Sequence, residues 1–432
     1  MSLDFETKLP DDQAPLYGIL EWQCWYGHYD IIDFDPETVV DECIDAHLNV
    51  GFNHLVWNAG RSTIDYHSDL PNTTLMRHVE GPDENAAGVV ARAVFNVQCP
   101  LRRALERCRK ENVPFIARLC MNRHYGADRR PEITSRFAAE HPEYQERDRA
   151  GNTITSKLCY AIAHVRQERI DILLELQRIG VDALLLDFCR QMPHLRYHDE
   201  LVDPFVEQTG TDPREINSAD PDDFRHWYRY RAEIMTGFMR KLRSEVRAQE
   251  KELQKKCPII ARVPDGSEWL MLAYGLDLPR WFSEDLIDAT MLSPFPITKQ
   301  DLKRHFREHA ELAHEHGKDC IGGLGSMGLF QHNNMSRRRD IEYKPKHAYE
   351  LLAQQYDAGV DSISIYQTET LARMGYLQDL MLEAGTPETV IGRADELPGK
   401  SRSDTSPVGV DWHSFPNGLY GVGTSVEAQQ SL

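Results

Sequence analysis

The chain predicts a (β/α)8 TIM barrel with long loops after strands two and three and an irregular C-terminal tail. Two observations lead there. Eight short apolar runs alternate with segments of helical spacing along the 432 residues. Such alternation makes parallel β/α units, and eight of them close most simply into one ring. No GxGxxG or Walker-type loop supports the rival, an open nucleotide-binding sheet. The nearest stretch, GGLGSMG at 322–328, lacks the P-loop lysine, and close packing beside a strand accounts for its glycines.

The strands are expected in LYGILEWQC (16–24), VGFNHLVWN (50–58), PFIARLCM (114–121), ALLLDFCR (183–190), PIIARVPD (258–265), IDATMLSPF (287–295), DCIGGLG (319–325) and DSISIYQTE (361–369). Each is a short apolar run bounded by polar or turn residues, the mark of a strand buried on both faces. Helices are expected over Pro36–His47, Leu101–Asn112, Arg166–Ile179, Phe224 to about Glu252, Lys299–His316, Lys346–Ala358 and Leu371–Ala384. In the third of these, Ile170, Leu173, Leu174, Leu176 and Ile179 recur at helical spacing.

Two stretches, Ala59–Val97 and Asn122–His164, read as long loops on the C-terminal rim. Long loops in compact domains are usually functional or disordered. In the second, HPEYQERDRAGNTI holds an AGN turn between polar flanks, which predicts a small hairpin. Periodicity fails after about Arg393, where Pro, Gly and Ser accumulate. The expected organisation is therefore one barrel domain, 1–392, and an extended tail, 393–432.

Composition excludes some partners. Acidic residues outnumber basic ones 68 to 49, a formal charge of −19. Nucleic acid and anionic membranes attract positive surfaces, so neither is an expected partner. No apolar run is long enough to span a bilayer, and MSLDFETKLPDD lacks the pattern of a signal peptide. Nine cysteines without a CxxC pair read as free buried thiols in a reducing compartment. A cytoplasmic location is the expectation; a homo-oligomer is allowed but not indicated.

Barrel chemistry sits at the C-terminal ends of strands. The polar and aromatic residues there are Glu21, Trp22, Trp25, Trp57, Asn58, Arg118, Asn122, His124, Asp187, Arg190, Arg262, Asp265, Glu268, Trp269, Tyr366, Gln367 and Glu369. The tripeptide IAR occurs in strands three and five, so Arg118 and Arg262 flank the strand that carries Asp187. Neighbouring strands lie about 4.8 Å apart, and a carboxylate between two guanidiniums stays charged. Such a cluster serves either catalysis or strand register alone. Trp22, Trp25, Trp57, Trp269 and Tyr366 are expected to share one rim, where aromatic faces beside polar groups would make a sugar pocket. Glycoside cleavage needs two carboxyl groups: Asp187 suits the nucleophile or base, and Asp265 or Glu369, with Glu21 and Glu268 as further candidates, the acid. His314 and His316 lie two apart on a helix and do not share a face, so no catalytic metal and no cofactor are expected.

The middle of the chain resembles glycoside-hydrolase-like proteins of the "family 10 glycosylhydrolase" type. The residues that carry the resemblance are HPEY (141–144), His164-Val165-Arg166 at a helix start, and Asp182, Asp187 and Arg190 around strand four, with GVDSISIYQTE (359–369) as the last strand. The resemblance implies a barrel acting on carbohydrate, with Asp187 the leading catalytic group. An Asp after strand four is also similar to the nucleophile of some retaining glycosidases. Their acid follows strand six, however, and MLSPFP has none; nor does strand seven end in the Glu that other retaining enzymes use.

The expected function is thus binding and hydrolysis of a poly- or oligosaccharide, with an anionic one suited to the arginines. Arg118, Arg190 and Arg262 would hold Asp187, and Trp22, Trp25 and Trp57 would form stacking walls. The alternatives are a carbohydrate-binding barrel without catalysis, and a lyase or isomerase acting on a uronate or sugar acid through His124 or Tyr366.

Overall fold

The computed structural model describes residues 3, 5, 9–22, 34–75, 86–122, 124, 134–189, 194–216, 224–293, 305–325, 345–374 and 378–398. Its core is a closed barrel of eight parallel strands: β1 (Leu16–Leu20), β2 (His54–Gly60), β3 (Phe115–Cys120), β6 (Ala183–Asp187), β7 (Ile259–Pro264), β8 (Ala289–Ser293), β9 (Asp319–Gly325) and β10 (Ser362–Tyr366). Around the ring the order is β1, β10, β9, β8, β7, β6, β3, β2, the chain order of a (β/α)8 barrel. Every strand expected from sequence is present. Two short strands, β4 (Gln145–Arg147) and β5 (Thr153–Leu158), pair antiparallel between β3 and β6. They form the expected hairpin, with Gly151 at φ +88° in its turn.

Strand side chains alternate between lumen and outer wall. Tyr17, Ile19, Val56, Ile116, Ala183, Leu185, Ile260, Ala289, Met291, Ile321 and Tyr366 pack together inside the ring. Leu20, Leu55, Trp57, Phe115, Leu184, Leu186 and Ile259 belong to a larger cluster between the ring and the helices. At one end the chain's own start closes the lumen: Leu3 and Phe5 pack against the interior cluster, and Leu3 N–H donates to Asp319 Oδ2 at 2.6 Å.

The helix Ala163–Ile179 ends at Gly180, φ +98°, a left-handed conformation that costs glycine little. Gly322 lets the helix Pro345–Asp357 approach β9, so that Gln355 accepts from Gly323 N–H at 2.7 Å and donates to Gly323 O at 3.0 Å. Close packing against a helix is therefore the reason for this glycine.

Some expectations need correction. Ala86–Val97, taken as loop, is a helix, and further helices cover Asp199–Thr209, Glu268–Ala273 and Leu278–Ser283. The helix expected over Leu371–Ala384 is described in two stretches, Glu369–Met374 and Gln378–Glu383, and residues 375–377 lie outside the described residues. The final helix, Pro387–Glu396, runs past residue 392, and most of the tail lies outside the described residues. Eight described cysteines are free, seven of them buried. Among the described residues no helix is long and apolar enough to cross a membrane.

Candidate functional site

The parity that places Ile19, Val56, Ile116, Leu185, Ile260 and Met291 in the lumen carries the residues two positions on inward as well. These are Glu21, Asn58, Arg118, Asp187, Arg262 and Ser293, and Tyr366 joins them from β10. Register pairs Asn58 with Arg118 and Asp187 with Arg262, and the long Arg118 side chain spans the two-residue step from β3 to Asp187 on β6. One polar layer therefore caps the apolar lumen at the C-terminal mouth.

Asp187 is at its centre. Its Oδ2 accepts from Arg118 Nε at 2.7 Å, with Arg118 Nη2 at 2.6 Å. Arg262 Nη1 lies 3.1 Å from Oδ1 and 3.2 Å from Oδ2. The backbone N–H of Cys189 donates to Oδ1 at 2.9 Å. Two cations and a backbone donor favour the charged carboxylate. Arg262 is itself held by Ser293 Oγ at 2.6 Å. The sequence-level expectation that the two IAR arginines grip Asp187 holds; Arg190, the third expected partner, lies outside the described residues.

Arg118 connects Asp187 to a second carboxylate. Its Nη1 donates to Asn58 Oδ1 at 2.8 Å and stands 3.6 Å from Glu21 Oε1. Asn58 donates onward to Asp65. Burial works against the Arg118 charge, but Cys120, Tyr366, Asp187 and Glu21 together hold its pKa well above the usual value. Tyr366 lies over both guanidiniums, its ring centroid 5.2 Å from Arg118 Cζ and 4.5 Å from Arg262 Cζ. Its hydroxyl accepts from Arg118 Nη2 and donates to Glu21 Oε1, both at 3.3 Å. Glu21 also pairs with Arg61, the residue after β2, which the sequence does not mark because the strand runs two residues past the end expected at Asn58.

Glu369 stands next to this network. It is buried at the start of its helix, and its Oε2 accepts the backbone N–H of Glu21 at 3.3 Å. Gln367, between it and Tyr366, is buried with φ +59°, an uncommon conformation for a residue other than glycine. Asp265 is buried just past β7, and its carbonyl accepts from His305 N–H at 3.2 Å. Glu268 is exposed and lines an outward cavity of about 220 Å³ with Gly266, His305 and His309.

The tryptophans correct the expectation most. Trp22 and Trp57 are 1% and 0% exposed and stack on each other at 6.1 Å, 7° apart. Phe95 packs edge-on against Trp22. Both point outward from the barrel wall into the helix layer, because they lie one residue out of phase with Glu21 and Asn58. They are core residues, not walls of a mouth. Trp269 is half-buried beneath Arg225, 4.9 Å from its ring. Trp25 lies outside the described residues.

Asn122 donates to Leu158 O and His194 O at 3.0 and 2.9 Å and accepts from Leu158 N–H at 3.0 Å, so its amide ties the hairpin to β3. His124 is buried, and its backbone N–H donates to Ser156 O. Burial and then Arg169 lower its ring pKa well below the usual value. The fold also brings in two residues that the sequence did not mark. Lys157, on the hairpin, is fully buried. His194 donates through Nε2 to Phe188 O at 2.9 Å, and burial lowers its pKa to about 4. Among the described residues no group of three or more His, Cys, Asp and Glu side chains is arranged to hold a metal ion.

No family model matches the chain, and no curated protein matches it in sequence. Solved structures of glycoside hydrolases do resemble it. The α-L-fucosidase isoenzyme 2 from Paenibacillus thiaminolyticus matches with a TM-score of 0.54 and 13% identity, over 89% of this chain and 50% of its own. A GH20 exo-β-N-acetylglucosaminidase from Vibrio harveyi matches at 0.46 with 10% identity, over 88% and 54%. The trehalose-6-phosphate hydrolase of Bacillus licheniformis matches at 0.42 with 13% identity, over 88% and 72%. The chain spans half the length of the fucosidase, and at these identities the likeness is one of fold. The narrower family 10 resemblance rests on its motif residues alone.

Proposed function

We propose that this barrel binds a saccharide at its C-terminal mouth and hydrolyses an O-glycosidic bond there. The observation that carries the reading is the pair of carboxylates, Asp187 and Glu21, held on one guanidinium, Arg118, in the lumen-facing layer where barrel enzymes keep their chemistry. Fold likeness to the α-L-fucosidase from Paenibacillus thiaminolyticus supports the reaction class.

In this reading Asp187 is the base or nucleophile, kept charged by Arg118 and Arg262. Glu21 and Tyr366 lie at 4% and 5% exposure, against 0% for Asp187, and they meet the sugar first. Glu369 is the acid: burial disfavours a charged carboxylate, and it adjoins Glu21 through the Glu21 N–H. Asp265, the other acid expected from sequence, is the alternative. Arg118 and Arg262 suit a substrate that carries a carboxylate or sulfate.

One observation favours a second reading. Asp187 and Arg118 are both 0% exposed, and two guanidiniums and a backbone N–H already occupy the Asp187 oxygens. On that reading the cluster only locks strand register, and the barrel binds carbohydrate without cleaving it. A screen of the purified protein for reducing-end release, using neutral, sulfated and uronic polysaccharides, separates the two. Release from any of them supports hydrolysis, whereas binding without release supports the second reading. An unsaturated product absorbing in the near ultraviolet would instead identify a lyase.

A further inference from the structure

The HPEY stretch has no part in the Asp187 layer, yet it builds a cluster of four rings. His141 and Tyr144 stack face to face at 4.5 Å, 8° apart. Phe137 packs against both, at 5.1 and 6.0 Å. His164 stands edge-on to Tyr144 at 6.2 Å, and Tyr144 OH and His164 Nδ1 are 3.1 Å apart. Phe137 is buried and forms the floor; His141 and Tyr144 are half-buried and His164 is exposed.

The place of this cluster matters. Barrel helices start at the end of the ring where the strands finish. His164 lies in the first turn of the helix Ala163–Ile179, so the cluster is on the same face of the molecule as Asp187. A packing contact alone does not need three of four rings open to water. Glu143 stands beside them, 60% exposed, with Oε1 3.0 Å from His141 Nδ1. Partly open aromatic faces next to a charged hydrogen-bond acceptor are the two ingredients of a pyranose contact: apolar ring faces to stack, and an acceptor for hydroxyls.

We propose that Phe137, His141, Tyr144 and His164 form an accessory subsite that stacks a pyranose unit of a saccharide chain on the barrel's C-terminal face. The inference rests on the carbohydrate reading above and deepens it, because a second contact away from the mouth requires a chain rather than a single sugar. The negative charge of the protein, −19, argues against a nucleic-acid base as the stacking partner.

The test is affinity electrophoresis of the full chain through gels containing carboxymethylcellulose, xylan, glycol chitin, polygalacturonate or fucoidan. Wild-type protein should be retarded in at least one. Tyr144→Ala and His141→Ala should each lower that affinity ~10-fold, the scale of one lost aromatic contact. Tyr144→Phe, which keeps the ring, should bind as wild type does. Equal retardation of Tyr144→Ala, or no retardation in any gel, overturns the inference. Thermal melts confirm that the variants are folded, and His141→Ala provides an independent arm if Tyr144→Ala is not. Hydrolysis with no effect of Tyr144→Ala sinks the subsite and leaves the reaction standing; retardation that depends on Tyr144 without hydrolysis does the reverse.

Discussion

Asp187 offers Oδ2 to two nitrogens of Arg118, Nε at 2.7 Å and Nη2 at 2.6 Å, while Oδ1 takes the Cys189 N–H. Arg262 bridges both oxygens from β7, the neighbouring strand on the other side of β6. The barrel thus joins β3, β6 and β7 through one carboxylate, at the level where the apolar lumen ends.

Arg118→Met should destabilise the protein by about 3–5 kcal/mol, the usual cost of removing one member of a buried ion pair. Arg118→Lys should rescue only part of it, because an ammonium cannot reproduce the fork that reaches Asp187, Asn58 and Tyr366 together. Urea unfolding of the two variants checks this. A change below about 1 kcal/mol for Arg118→Met would mean that the pair contributes little.

Tyr366 separates ring from hydroxyl. Tyr366→Phe keeps the face above Arg118 and Arg262 and loses only the two 3.3 Å contacts, so about 1 kcal/mol is expected. Tyr366→Leu loses the cation–π contacts as well and should cost at least 1 kcal/mol more. Equal unfolding midpoints for the two variants would contradict the ring's role.

Acid should weaken the fold through histidines buried in the neutral form. Burial lowers His47 and His194 to about 4 and His54 to about 3. In the unfolded chain each titrates near its ordinary value of about 6.5. Between these values the unfolded state binds more protons, so stability is full above about pH 6.5 and falls as pH drops toward about 4. The loss should reach the order of 3 kcal/mol for each of His47 and His194. Urea midpoints that stay constant or rise across that window would be inconsistent with it.

Gly322→Ala should cost about 1–3 kcal/mol by overpacking. A Cβ there would lie 2.5 Å from Gln355 Oε1, 2.8 Å from Val360 Cγ1 and 2.9 Å from Ile363 Cδ1. A melting temperature equal to wild type would show that the helix Pro345–Asp357 can yield.

The sequence made the barrel legible because strands buried on both faces leave unbroken apolar runs, and all eight are found where those runs lie. It made the Arg118–Asp187–Arg262 contact legible because strands adjacent in the ring are nearly adjacent in the chain. The tryptophans were misjudged for a countable reason. Proximity to a strand's end says nothing of which face a residue takes, and counting in twos from Ile19 and Val56 sends Trp22 and Trp57 outward. Lys157 and His194 were not legible, since they lie on the hairpin and in the segment after β6, whose paths no periodicity encodes, and Arg61 was passed over because β2 runs to Gly60, beyond the end its apolar run suggests. Ala86–Val97 escaped notice because it sits inside a long stretch without other helical signals.

The most direct measurement is reducing-end release by Glu369→Gln and Asp187→Asn, set beside wild type and beside the thermal stability of each protein. Glu369→Gln keeps the shape and an oxygen to accept the Glu21 N–H but has no acidic proton to give, so it should stay folded and still lose at least about 100-fold in turnover, and Asp187→Asn should lose as much. Glu369→Gln and Asp187→Asn variants that are both folded and cleave at the wild-type rate would show that the chemistry lies elsewhere.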